Sequence, residues 1–158
     1  NIEKGAFKKA LKYIEKARLW PENLGVGRPY VVDERIEDYQ EALCMTEMGR
    51  KKEADRLFSK IIRFSENDEG GGSSNFTWLL ALRQTGQAGK IQEALGKWAE
   101  RSGESPVFQW GKAMIENNGT KARSIERRMQ GDDFEESVFT YRQKDMEFEL
   151  IRKIVRIQ

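Results

Sequence analysis

GRKKEADRLF, residues 49–58, holds a glycine, an alanine five positions on, and a phenylalanine four positions beyond that. Read outward to Ile62, the apolar residues Ala54, Leu57, Phe58, Ile61 and Ile62 recur at i, i+3, i+4, i+7 and form one helical stripe. The same offsets occur twice more, as Gly5, Ala10, Ile14 and as Gly89, Ala94, Trp98. Each lies in its own stripe: Phe7, Ala10, Leu11, Ile14 and Ala17 in the first, Ile91, Ala94, Leu95 and Trp98 in the second. No comparable segment alternates with period two, so the pattern predicts an all-α chain. In this reading each glycine ends a turn. Each alanine lets two helices approach closely, and the large apolar residue fills the space beside it.

The three copies resemble the Gly-x4-Ala-x3-large half of the tetratricopeptide repeat. The helix before each copy agrees less well: Tyr39, Ala42, Leu43 and Met45 lead into the second, and Phe76, Trp78, Leu79, Leu80 and Leu82 into the third. Ala42 stands where that family usually has glycine. In the third unit the small residue is missing, and the turn GQAGK runs a few residues long. The resemblance implies a right-handed superhelix of antiparallel helix pairs, an α-solenoid, closed by a C-terminal capping helix. It divides the single domain, 1–158, into a partial repeat at 1–19, repeats at 33–65 and 75–102, a degenerate repeat at 105–130 around the turn NNG, and a capping segment at 132–158. Only NIEK precedes Gly5, so the chain reads as a piece of a longer protein whose first helix lies upstream.

In the cap, Asp145 is the expected N-cap and Phe148, Leu150, Ile151, Ile154 and Val155 the apolar face. Two connections exceed the usual period of about 34 residues. They are WPENLGVGRPYVV, from Trp20, and ENDEGGGSSN, from Glu66.

With 158 residues, 34% charged and 38% apolar, the chain is long enough to bury a core. Its net charge of +2 gives no reason to expect nucleic acid or an anionic membrane as partner, and no apolar run approaches the ~20 residues that span a bilayer. A lone cysteine, Cys44, permits no internal disulfide and suits a reducing, cytoplasmic compartment. Histidine is absent, which removes the usual general base and the commonest transition-metal ligand.

Several stretches invite a chemical reading. Gly25-Val26-Gly27 lacks the preceding strand, third glycine and following helix of a dinucleotide site, and Pro29 cannot donate an N–H. It reads as a structured connection, although a detour across a groove would place Arg28 and Tyr30 against a carboxylate or a sugar. EGGGSSN could form an anion nest but has the composition of a flexible linker, with Ser74 or Asn75 capping the next helix. The acids Asp33, Glu34, Glu37 and Asp38 suit the positive end of a helix better than a glycosidase pair. The basic runs 121–128 and 152–156 are interleaved with acids or apolar residues, as on a solvated helix face.

The resemblance implies a concave groove lined by the first helix of each pair, carrying Tyr39, Leu43 and Thr46, then Leu79 and Arg83, then Trp110. Trp78 and Trp98 fit better as core. The Lys/Asn pattern with which some tetratricopeptide proteins clamp a peptide C-terminus is absent from these positions. The candidate partner-binding residues are therefore Arg28, Tyr30, Tyr39, Leu43, Arg83 and Trp110, with no catalytic residue, metal or cofactor.

The function implied is a non-catalytic scaffold for a protein or peptide segment, or for another domain of the same chain. IEKARLWPENLGVGRPY also resembles a segment in the C-terminal repeat region of large bacterial proteins that carry an upstream mutarotase-like β-sandwich and no assigned activity. That resemblance implies an alternative: an accessory helical domain of a carbohydrate-active bacterial enzyme, with loop 20–32 contributing to a neighbouring site.

Overall fold

The turn after each first helix sets the architecture. Gly49 has φ of 76°, and around it Gly49 N–H donates to Thr46 O and Arg50 N–H to Met45 O. Gly86, with φ of 73°, sits in the same arrangement: its N–H donates to Arg83 O and Gln87 N–H to Leu82 O. Asn117, with φ of 56°, makes the third, with bonds from Asn117 to Met114 and from Asn118 to Ala113. These are Schellman-type helix ends, which need a left-handed residue and favour glycine or asparagine. The three turn residues lie 37 and 31 positions apart.

The computed structural model describes residues 2–19, 32–130 and 146–157, and the regular structure among them is entirely helical. The helices are α1 (Ile2–Ala17), α2 (Arg35–Glu47), α3 (Lys51–Asn67), α4 (Asn75–Gln84), α5 (Ile91–Ser102), α6 (Pro106–Ile115), α7 (Gly119–Gln130) and α8 (Met146–Ile157). Each of α1 to α6 packs on the next, and α2 also touches α4. Ser105 accepts a bond from Phe108 N–H and is followed by Pro106, so α6 begins with a side-chain cap and a preset φ. Asn118 Oδ1 accepts from Lys121 N–H and caps α7.

Two of the three glycines do not make the turn that the sequence pattern gives them. Gly5 lies inside α1. Gly89 lies in a 3-10 turn, Ala88–Lys90, inserted between Gly86 and α5, so GQAGK carries three residues more than the turn at Gly49. Two of the three alanines behave as the packing argument requires: Ala54 and Ala94 are buried, whereas Ala10 is only half-buried. The larger neighbours Ile14, Phe58 and Trp98 are buried, and so is Ala122 in the last pair. In the α6–α7 pair the offsets from Asn117 lead to Ala122 and then to Glu126. A buried carboxylate thus replaces the large apolar residue.

The first two pairs are joined by a polar knot. Arg35, at the start of α2, is 3% exposed and uses all five of its guanidinium N–H groups. Nε and Nη2 donate to the two oxygens of Asp33 at 2.9 and 2.7 Å, and Nη2 also to Asp68 at 2.8 Å. Nη1 donates to Ser65 Oγ and Asn75 Oδ1, and the guanidinium lies 4.9 Å from the centre of the Phe64 ring. Full satisfaction of its donors is what lets a charge sit there.

The connection EGGGSSN, expected to be a flexible linker, is a packed loop. Trp98 Nε1 donates to Gly71 O at 3.0 Å, and Asn75 Nδ2 donates to the carbonyls of Gly70 and Gly72. A Cβ on Gly71 would lie 2.8 Å from Arg101 O, so the backbone is pressed against the end of α5. Gly111 marks a similar approach: a Cβ there would lie 2.6 Å from the Trp98 ring.

Candidate functional site

The helix α8 lies across the first helices of the pairs. It packs on α2, reaches the start of α4, and touches α6 and α7. Phe148, Ile151 and Ile154 are buried, at the i, i+3, i+6 spacing of one helical face. The Phe148 ring meets the Trp110 ring edge-on at 5.0 Å. At one end of this contact Ser74 Oγ donates to Glu147 Oε2 at 3.1 Å, and Ser73 Oγ stands 3.4 Å from the same oxygen. At the other, Arg152 Nη1 lies 3.5 Å from Glu126 Oε2. The carboxylate of Glu147 therefore sits at the N-terminus of α4, where backbone dipoles favour negative charge. Leu150, assigned to the apolar face by sequence, is 41% exposed because it lies off the face of α8 that carries Phe148, Ile151 and Ile154. Asp145, the expected cap of α8, lies outside the described residues.

Ser74 occupies the N-cap of α4 but makes no side-chain cap bond, since its hydroxyl is turned to Glu147. Asn75 is spent on Arg35 and the loop carbonyls.

The six candidate residues separate. Arg28 and Tyr30 lie outside the described residues. Tyr39 is fully buried, with its ring 5.7 Å from that of Phe58, so it packs between α2 and α3 and does not line a groove. Trp110 is 1% exposed and closed off by Phe148 on one side and Phe76, at 4.9 Å, on another. Its Nε1 donates to Glu126 Oε1 at 2.9 Å. Trp110 does meet a helix, but the helix is the chain's own. Leu43 is half-buried against the core, Leu79 is core, and Arg83 is exposed in the last turn of α4. Trp78 and Trp98 are both buried.

Of the acids at the start of α2, Asp33, Glu34 and Asp38 are each paired with a cation. Arg18 Nη2 donates to Asp38 at 2.8 Å and Lys60 Nζ lies 2.8 Å from its other oxygen, while Arg18 Nη1 donates to Glu41. Lys60 also reaches Glu34 at 3.3 Å. Together these pairs tie α1 and α3 to α2. Burial pushes the Asp38 carboxyl up, against the pull of Lys60 and Arg18. Burial likewise raises Glu37. Burial also pushes Asp33 up, but its bonds and charge pairing with Arg35 outweigh that and leave it below the usual carboxylate range.

Cys44 is buried, which raises its thiol and leaves little reactive thiolate. Among the described residues no three His, Cys, Asp or Glu side chains gather to hold a metal ion, and no helix is long and apolar enough to cross a membrane. An open hollow of about 580 Å³ at the end of α1 is lined by Lys12, Glu15, Lys16, Arg18 and Leu19. Among the described residues, all of these come from one helix and its end.

Sequence reasoning missed the Arg35 knot, the close approach at Gly111 and the place of α8. One signal could have found Glu126: counting five and four from Asn117 repeats the Gly49, Ala54, Phe58 offsets. No local signal marks Arg35, because Ser65, Asp68 and Asn75 lie 30 to 40 positions away.

No protein-family model matches this chain, and no curated protein or solved structure matches it either.

Proposed function

We propose that this chain is a non-catalytic interaction scaffold of the tetratricopeptide type. In this reading the helix pairs wind as a right-handed superhelix. The row of first helices, α2, α4 and α6, binds a segment of another protein or of another domain of its own chain. The observation that carries the reading is that this row already seats an amphipathic helix, α8, through an aromatic anchor on α6, a polar contact at the start of α4 and a second polar contact from Glu126 of the neighbouring α7. The recurring turns at Gly49, Gly86 and Asn117 support the repeat. The absence of histidine and the net charge of +2 favour protein over catalysis or nucleic acid, and the lone, buried Cys44 suits a cytoplasmic setting.

Site-specific crosslinking tests it. A photoreactive amino acid in place of the exposed Thr46, on α2, should crosslink in cells to one recurrent protein segment, and Arg83→Glu should weaken that product several-fold. Products scattered without preference, or a recurrent product untouched by Arg83→Glu, would count against the scaffold.

A further inference from the structure

We infer that α8 is a stand-in for the partner, and that the face beneath it selects a helix with α8's own pattern. This rests on the scaffold reading and gives its partner a chemistry. The pattern is an acid, an aromatic directly after it, an aliphatic residue three further on, an arginine next, and an aliphatic residue two beyond: Glu147, Phe148, Ile151, Arg152 and Ile154.

Each element has a counterpart on the face. Ser73 and Ser74, both buried, present hydroxyls to the acid at the positive end of α4. Trp110 presents its ring to the aromatic. Glu126, buried where the other pairs carry Phe58 and Trp98, presents a carboxylate 3.5 Å from the arginine, which also donates to Glu149 of α8 at 2.8 Å. Two features of the face, the serines and the glutamate, thus go beyond apolar packing, and α8 meets both. An apolar cap would not need the serines, and the glutamate faces α8 in addition to accepting the Trp110 N–H.

The contact is also small: Phe148, Ile151 and Ile154 are buried and Val155 partly so, while Met146 and Leu150 stay exposed among acids and cations. Its place in the same chain compensates. A segment tethered in cis competes at an effective concentration on the order of millimolar, so even a modest helix holds the face until a better one arrives. A partner helix of the same pattern then displaces α8 rather than adding to it.

The test uses the full chain and a fluorescent peptide of residues 145–158, followed by anisotropy. Chains carrying Phe148→Ala or Glu147→Lys hold their own α8 less well, so both should bind the wild-type peptide at least about tenfold more tightly than the wild-type chain does. A peptide carrying Phe148→Ala should bind none of them. Glu147 is exposed, so Glu147→Lys leaves the fold intact and decides the matter if Phe148→Ala does not melt cooperatively.

Absence of peptide binding to a cooperatively melting variant overturns the inference, as does equal binding of the Phe148→Ala peptide. A wild-type chain that dimerises with rising concentration, by sedimentation, overturns it in favour of helix exchange between two copies. Peptide binding without a recurrent crosslink at position 46 sinks the scaffold reading alone. A recurrent crosslink that the α8 variants leave unchanged, with no peptide binding, sinks this inference alone.

Discussion

In the α2–α3 pair the residue nine positions after the left-handed turn is Phe58; in the α6–α7 pair it is Glu126. Phe58 is buried against Tyr39 and serves only its own pair and its neighbours. Glu126 is buried too, but it accepts the Trp110 N–H and faces Arg152 of α8. The same backbone frame therefore carries two kinds of interior. One is filled by an aromatic ring and is indifferent to what covers it. The other holds a charge whose partners are the Trp110 N–H and an arginine of the next helix, α8. The repeat frame fixes where a side chain goes, and its chemistry decides whether that place is plain core or part of a contact.

The largest expected effect tests the apolar member. Phe58→Ala should destabilise the chain by about 3–5 kcal/mol, the range for a buried aromatic truncated to alanine, as read by urea denaturation. Arg35→Met follows, at about 3 kcal/mol. That is the low end for a broken buried ion pair, because Asp33 and Asp68 keep some contact with water. Glu126→Ala removes the acceptor for a buried indole N–H and should cost about 1–3 kcal/mol. A cost equal to that of Phe58→Ala would show that the two interiors are filled alike, and the contrast would fail.

Smaller effects probe the turns and the charges. Gly49→Ala should cost about 1 kcal/mol by forcing a Cβ into left-handed backbone, and Gly49→Asn less, as Asn117 already shows. For Asp33 the sign follows from its depressed pKa. Its contribution is fully present above the ordinary aspartate value of about 4 and is lost as the pH falls through the lower folded value. Asp33→Asn should therefore lower stability at pH 6 and flatten the acid limb of the stability profile. A limb of unchanged slope would show that Asp33 gains nothing from Arg35.

The helical class was legible because 3.6-residue periodicity is local, and stripes such as Ala54 to Ile62 need no tertiary information. The α2–α3 turn was legible for the same reason. The α4–α5 turn misled because Gly86 and Gly89 both stand near it. The offset to Ala94 favours Gly89, whereas the backbone needs Gly86 and absorbs the difference as a 3-10 turn. The pattern for the face also misplaced one residue of α2. Tyr39 is a large aromatic at a plausible groove position, yet its apolar ring packs on α3. The docking of α8 was not legible at all. It depends on Ser73, Ser74, Trp110 and Glu126 coming together from three parts of the chain, and no periodicity encodes that.

The span from α2 to α8 also sets an order in time. Roughly a hundred residues separate the end of α2 from the start of α8, and ribosomes add about 5–20 residues per second. The apolar side of α2 that α8 covers must therefore wait about 5–20 seconds for its cover during synthesis. Through that interval the nascent chain presents a half-built face to whatever is nearby, including other nascent chains and chaperones.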